Sequence, residues 1–95
     1  MLTIDQIKAI AIPVLKKHKV KKAGLFGSVA NQKANESSDV DILVELTYPA
    51  SLLDFVGIKL DLEDALHKKV DLVEYQAIKS ILKDSILKSE VRMYG

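Results

Sequence analysis

Apolar positions along the chain alternate between helical and strand-like spacing. Ile4, Ile7, Ala11, Val14 and Leu15 recur on one helical face. Thr3 and Gln6 form a capping-box pattern ahead of them, so a helix starts there. Pro13 lies too deep to be a first-turn proline, which predicts a kink or break near Ile10–Ile12. Val20–Phe26 reads as a first strand entering Gly27-Ser28, with Ser28 as N-cap of a short segment, Val29–Gln32. Lys33–Ser38 is a polar connection without periodicity. Val40–Leu46 is a second strand, with Asp39 and Asp41 at its start. Tyr48-Pro49 breaks it, and Ser51 with Asp54 opens a helix from Leu52 to about Leu66. Lys69–Tyr75 is a third strand. Ile78, Ile81, Leu82 and Ile86 give a last amphipathic helix, continuing through Ser89–Tyr94.

The order α-β-β-α-β-α predicts an α+β domain, with helices packed on a small mixed β-sheet. The helix Leu52–Leu66 carries more apolar surface than one face needs. Phe55, Ile58, Leu62 and Leu66 make one stripe, and Leu53, Val56 and Leu60 make a neighbouring one. Two explanations fit: a homo- or hetero-oligomer contact through residues 52–66, or a helix wedged between the sheet and the terminal helices.

Composition narrows the possibilities. The 95 residues allow one core, so residues 1–95 read as a single domain. With 48% apolar and 28% charged residues, the balance is that of an ordinary globular protein. The net charge of +1 supplies no global field, and no direct nucleic-acid binding is expected. The densest lysines (Lys16, Lys17, Lys19, Lys21, Lys22) read as a solvated helix end and strand start. The absence of cysteine excludes disulfides, thiolate metal sites and a thiol nucleophile. No apolar run approaches the roughly twenty residues of a membrane span, and the N-terminus lacks a signal-peptide pattern. The expected location is cytoplasmic. His18 meets the dipole at the end of the first helix, and His67 has no second ligand nearby. Tyr48, Tyr75 and Tyr94 read as turn and packing residues.

The chemistry concentrates between Ala23 and Leu46. Residues two apart in a strand share a face, so Asp39 and Asp41 project together from a hydrophobic element. Two adjacent carboxylates there are costly unless a cation lies between them. Asp71, in the middle of KVDLVEY, is a further aspartate where strand propensity disfavours one. A strand, Gly27-Ser28 and a helix start together suit a phosphate. Hard oxygen ligands favour Mg²⁺, which binds through one or two carboxylates plus substrate phosphates. Two such ions about 4 Å apart would clamp the attacking and leaving oxygens of an in-line displacement.

Gly27-Ser28, a loop, and then Ser38-Asp39-Val40-Asp41-Ile42-Leu43-Val44 resemble the DNA polymerase beta-like nucleotidyltransferases. The length and the ending, VDLVEYQAIKSILKDSILKSEVRMYG, are similar to the minimal nucleotidyltransferases, the MNT or MntA-type antitoxins. This resemblance implies that Gly27 and Ser28 hold the nucleotide triphosphate, that Asp39 and Asp41 bind metal, and that Asp71 completes the site near the acceptor hydroxyl. It implies Mg²⁺, as two ions, with ATP as substrate. It further implies a HEPN-domain toxin that receives AMP, in a toxin–antitoxin module. Relatives often read G-S-x-A-R-G, whereas Asn31-Gln32 stands at the arginine and glycine positions here. A missing guanidinium near a triphosphate costs about 1.5–3 kcal/mol of charge-assisted hydrogen bonding. The resemblance therefore leaves two outcomes: a Mg²⁺-dependent adenylyltransferase, or a catalytically weak or inactive antitoxin that acts by binding alone.

Overall fold

The computed structural model of the chain describes residues 3–27, 39–78 and 80–95, without the side chains of 80–83 and 85. Expectations for Ser28, for the segment 29–32 and for the connection 33–38 lie outside the described residues. Helix α1 (Ile4–Lys17) leads to strands β1 (Val20–Phe26) and β2 (Val40–Leu46). Helix α2 (Leu52–Leu66), strand β3 (Val70–Glu74) and a 3-10 turn (Tyr75–Ala77) follow. Helix α3 (Ser80–Ser89) and strand β4 (Val91–Tyr94) end the chain.

Both caps read from the sequence form as reciprocal hydrogen-bond pairs. The Gln6 N–H donates to Thr3 Oγ1 at 3.1 Å, and the Thr3 N–H donates to Gln6 Oε1 at 2.9 Å. At α2 the Asp54 N–H donates to Ser51 Oγ at 3.1 Å, and Ser51 N–H donates to Asp54 Oδ2 at 3.0 Å. Each pair satisfies two backbone donors that a helix start leaves without partners.

Two expectations need correction. α1 runs unbroken through Pro13. Pro13 and Ala9, whose carbonyl loses its donor, are both exposed, so solvent can serve the freed oxygen. The last helix does not continue through Ser89–Tyr94. It stops at Ser89, and Val91–Tyr94 pairs antiparallel with β1, matching Leu25 with Val91 and Gly24 with Arg92. Val91 and Met93 turn to the core while Arg92 turns away, and the strand covers an edge that β1 would otherwise leave open.

The sheet order is β3-β2-β1-β4, antiparallel at β1–β2 and β1–β4 and parallel at β2–β3. One face carries Ala23, Leu25, Val40, Ile42, Val44, Val70, Leu72 and Met93. It packs on Ile7, Ala11 and Leu15 of α1 and on Ile58, Leu62 and Leu66 of α2. Strand alternation sends Gly24, Asp41, Leu43, Asp71 and Val73 to the opposite face. Leu43 is fully buried there, apart from the main core cluster. The aspartates thus lie on the face turned away from α1 and α2.

Candidate active site

The parallel register of β2 and β3 makes Asp41 and Asp71 direct partners. Their Cα atoms lie about 5 Å apart at the usual strand spacing, with both side chains on the same face. Val40 N–H donates to the Lys69 carbonyl at 2.9 Å, which anchors the two strand starts level with each other. Asp39, one residue ahead of β2, is exposed, as is Asp71, whereas Asp41 is half-buried between them.

The end of β1 completes the setting of Asp41. Phe26 pairs with Asp41, and Gly27 follows in the left-handed region at φ +73°. A Cβ at Gly27 would overlap Asp41 Oδ2 outright and lie 3.1 Å from its Cγ. Gly27 is therefore required twice, once for its backbone conformation and once for the space its missing side chain leaves to a carboxylate.

Burial, first, and then the charges of Asp71 and Asp39 hold the Asp41 carboxyl above the usual carboxylate range. No lysine, arginine or histidine among the described residues forms an ion pair with Asp39, Asp41 or Asp71. Nor do three carboxylate or imidazole groups converge closely enough, among the described residues, to hold a metal by themselves. A half-buried carboxylate beside an in-register neighbour fits Mg²⁺ in its usual manner, with one or two protein carboxylates and the remaining positions left to water and phosphate. The donor set is all oxygen, which also suits that ion.

A second polar cluster occupies the far end of the same face, and the sequence reading did not find it. The Tyr75 hydroxyl donates to Glu90 Oε2, and Arg92 Nη2 donates to Glu90 Oε1 at 3.1 Å. Arg92 also reaches the Gly95 carbonyl at 3.0 Å, and Lys22 Nζ lies 4.4 Å from the Tyr75 ring centroid. Burial, then the bond to Glu90, pushes the Tyr75 hydroxyl well above its ordinary pKa. A Cβ at Gly24 would fall 2.7 Å from Glu90 Cδ. The isolated glycine within a strand was the available signal for such an approach. Arg92 is thus committed to Glu90.

The histidines and remaining tyrosines have structural partners. His18 Nε2 lies 2.7 Å from Asp61 Oδ2 and ties the end of α1 to α2. That bond holds the Asp61 carboxyl below its usual range. His67 caps α2 in a left-handed conformation at φ 55°. The Tyr48 hydroxyl donates to the His18 carbonyl at 3.1 Å, and that of Tyr94 to the Val20 carbonyl at 2.7 Å.

The profile of the family described as polymerase beta, nucleotidyltransferase, matches residues 8–95. A Methanocaldococcus jannaschii protein, provisionally named a protein adenylyltransferase, is 48% identical over 95% of this chain and 97% of its own length. Protein adenylyltransferase MntA of Thermococcus cleftensis is 37% identical, covering 96% of each chain. Among solved structures, one described provisionally as a minimal nucleotidyltransferase superposes with a TM-score of 0.81 at 30% identity, covering 95% of each chain. The complex of a tri-AMPylated Shewanella oneidensis HEPN toxin with its MNT antitoxin gives a TM-score of 0.75 at 22% identity. It covers 96% of this chain and 71% of that one, a likeness of fold.

Proposed function

Because the chain belongs to the polymerase beta nucleotidyltransferase family, among its minimal, MntA-type members, we propose that it transfers AMP from ATP to a hydroxyl of a HEPN-type toxin. It would act as the antitoxin of that pair, in the cytoplasm where ATP and Mg²⁺ are available. The observation that carries this reading is the Asp41–Asp71 pair, in register on one sheet face and without a counter-cation among the described residues. The names of the relatives and the AMPylated toxin of the Shewanella complex support the choice of nucleotide and acceptor.

Asp39, Asp41 and Asp71 are the residues that would hold Mg²⁺. The bound ions would supply charge neutralisation on the triphosphate and on the attacking oxygen. Gly27 seats the Asp41 carboxylate, and its N–H with Ser28 is assigned to the phosphates. Asp71 lies exposed on the edge strand β3, where an incoming hydroxyl can reach it. In this role it accepts the hydroxyl proton as the oxygen attacks the α-phosphorus. The bond to the β-phosphate oxygen breaks, and pyrophosphate leaves. The chain's contribution is positioning and charge, with no covalent enzyme intermediate.

The test incubates the protein with α-labelled ATP, Mg²⁺ and a HEPN-type toxin, then measures label on the toxin. Wild type should transfer label, and Asp41→Asn and Asp39→Asn should lose it by at least about a hundredfold. Neutralisation of the toxin without transfer of label would overturn the enzymatic reading in favour of binding alone.

A further inference from the structure

α2 carries more apolar residues than its core face buries. Ile58, Leu62 and Leu66 face the core. Leu52 (78%), Leu53 (84%), Leu60 (55%) and Val56 (37%) remain exposed. At 100° per residue, Leu53, Val56, Gly57, Leu60 and Asp64 form one stripe opposite the buried face. With Leu52 beside it, this side leaves on the order of 400 Å² of apolar surface in water, a size at which exposed patches mark contact sites. That is also about the apolar area one partner contributes to a standard interface.

We propose that this stripe binds a second copy of the chain, as an antiparallel α2–α2 pair whose two-fold axis passes between Val56 and Gly57. Three observations select that occupant. Leu53 and Leu60 lie equally far on either side of the axis, so Leu53 of one chain meets the partner's Leu60, as an isologous interface requires. Gly57 is disfavoured in a helix interior relative to alanine, yet a Cβ there would meet nothing within 4 Å. Its own fold does not need the glycine, but a second helix backbone crossing closely at the axis does.

Charge gives the third. Asp54 caps Ser51, Asp61 holds His18, and Glu63 accepts the Val70 N–H at 2.9 Å. These acids have partners within the chain and lie to either side of the stripe, not in it. Asp64 lies in the stripe with no partner among the described residues. In the antiparallel pair it falls just ahead of the first turn of the facing helix, level with residue 49, where the positive end of the helix dipole favours a carboxylate. The contact lies on the helical side of the sheet, so Asp41 and Asp71 of both copies stay open. The pairing stands whether or not the chain transfers AMP.

The test is the mass of the full chain in solution by sedimentation equilibrium from micromolar to near-millimolar concentration. A dimer of twice 10.5 kDa is expected, and Leu53→Asp with Leu60→Asp should return it to a folded monomer. Because the chain has no cysteine, single replacements report the register independently. Leu53→Cys protein mixed with Leu60→Cys protein should form the mixed disulfide at least tenfold faster than either forms one alone. A monomeric mass throughout would overturn the proposal, as would self-linking by Leu53→Cys as fast as mixed linking.

Discussion

Gly27→Ala separates the folding role of this glycine from its role in the site. Alanine at φ +73° costs about 1–2 kcal/mol from the left-handed conformation. Reduced freedom of the unfolded chain returns about 0.4–1 kcal/mol of that. The new Cβ overlaps the far end of the Asp41 side chain, which can rotate away, so the backbone need not move. The net loss should be about 1 kcal/mol, or about 4–8 °C in Tm for a domain of this size. On the proposed role of Asp41 in holding Mg²⁺, function should fall far more, because displacing such a carboxylate by about 1 Å costs on the order of a hundredfold. Urea unfolding would measure the first quantity, and calorimetric titration of ATP with Mg²⁺ the second. Adding Asp41→Ala supplies a double-mutant cycle: once the carboxylate is gone, Gly27→Ala should weaken nucleotide binding no further. Unchanged affinity for Mg²⁺-ATP in Gly27→Ala would refute the claim that Gly27 seats Asp41. A loss above about 4 kcal/mol would refute the claim that only a side-chain tip must yield.

Other consequences follow from the same geometry. The raised Asp41 carboxyl makes its stability contribution complete below the ordinary carboxylate pKa and lost as pH rises through the raised value. Asp41→Asn should therefore melt higher than wild type at pH 7 without Mg²⁺, with the gap closing in acid; a gap that widens in acid would contradict the like-charge account. Asp61 carries the opposite sign, since its carboxyl is lowered and its contribution is lost as pH falls through that lowered value. Asp61→Asn should thus be less stable than wild type near neutrality and converge with it in acid, as followed by Tm against pH. Tyr75→Phe removes a hydroxyl donor from the Glu90 carboxylate and should cost about 1.5–3 kcal/mol in urea unfolding. Gly24→Ala crowds the same carboxylate and should cost about 1–3 kcal/mol; a neutral result would mean Glu90 is free to move.

Much of this protein could be read from the sequence because the relevant forces act over a few residues. The caps at Thr3–Gln6 and Ser51–Asp54 are bonds between residues three apart, so the spelling alone predicts them. The face that Asp41 presents follows from strand geometry, and the excess apolar stripe of α2 from helical period. Contacts between distant segments required the fold. The level register of Asp41 with Asp71 depends on a parallel pairing that no local pattern specifies. The space Gly27 leaves for Asp41 depends on the end of β1 lying beside the start of β2. Val91–Tyr94 is too short for its period to decide between helix and strand, and β4 exists because β1 offers an edge. Local spacing in the sequence was enough to place Asp41 and Asp71 on strands and to say which of their neighbours share a face. Which carboxylates stand side by side is set by the fold, because long-range pairing follows from burying one common core and not from any short stretch of chain.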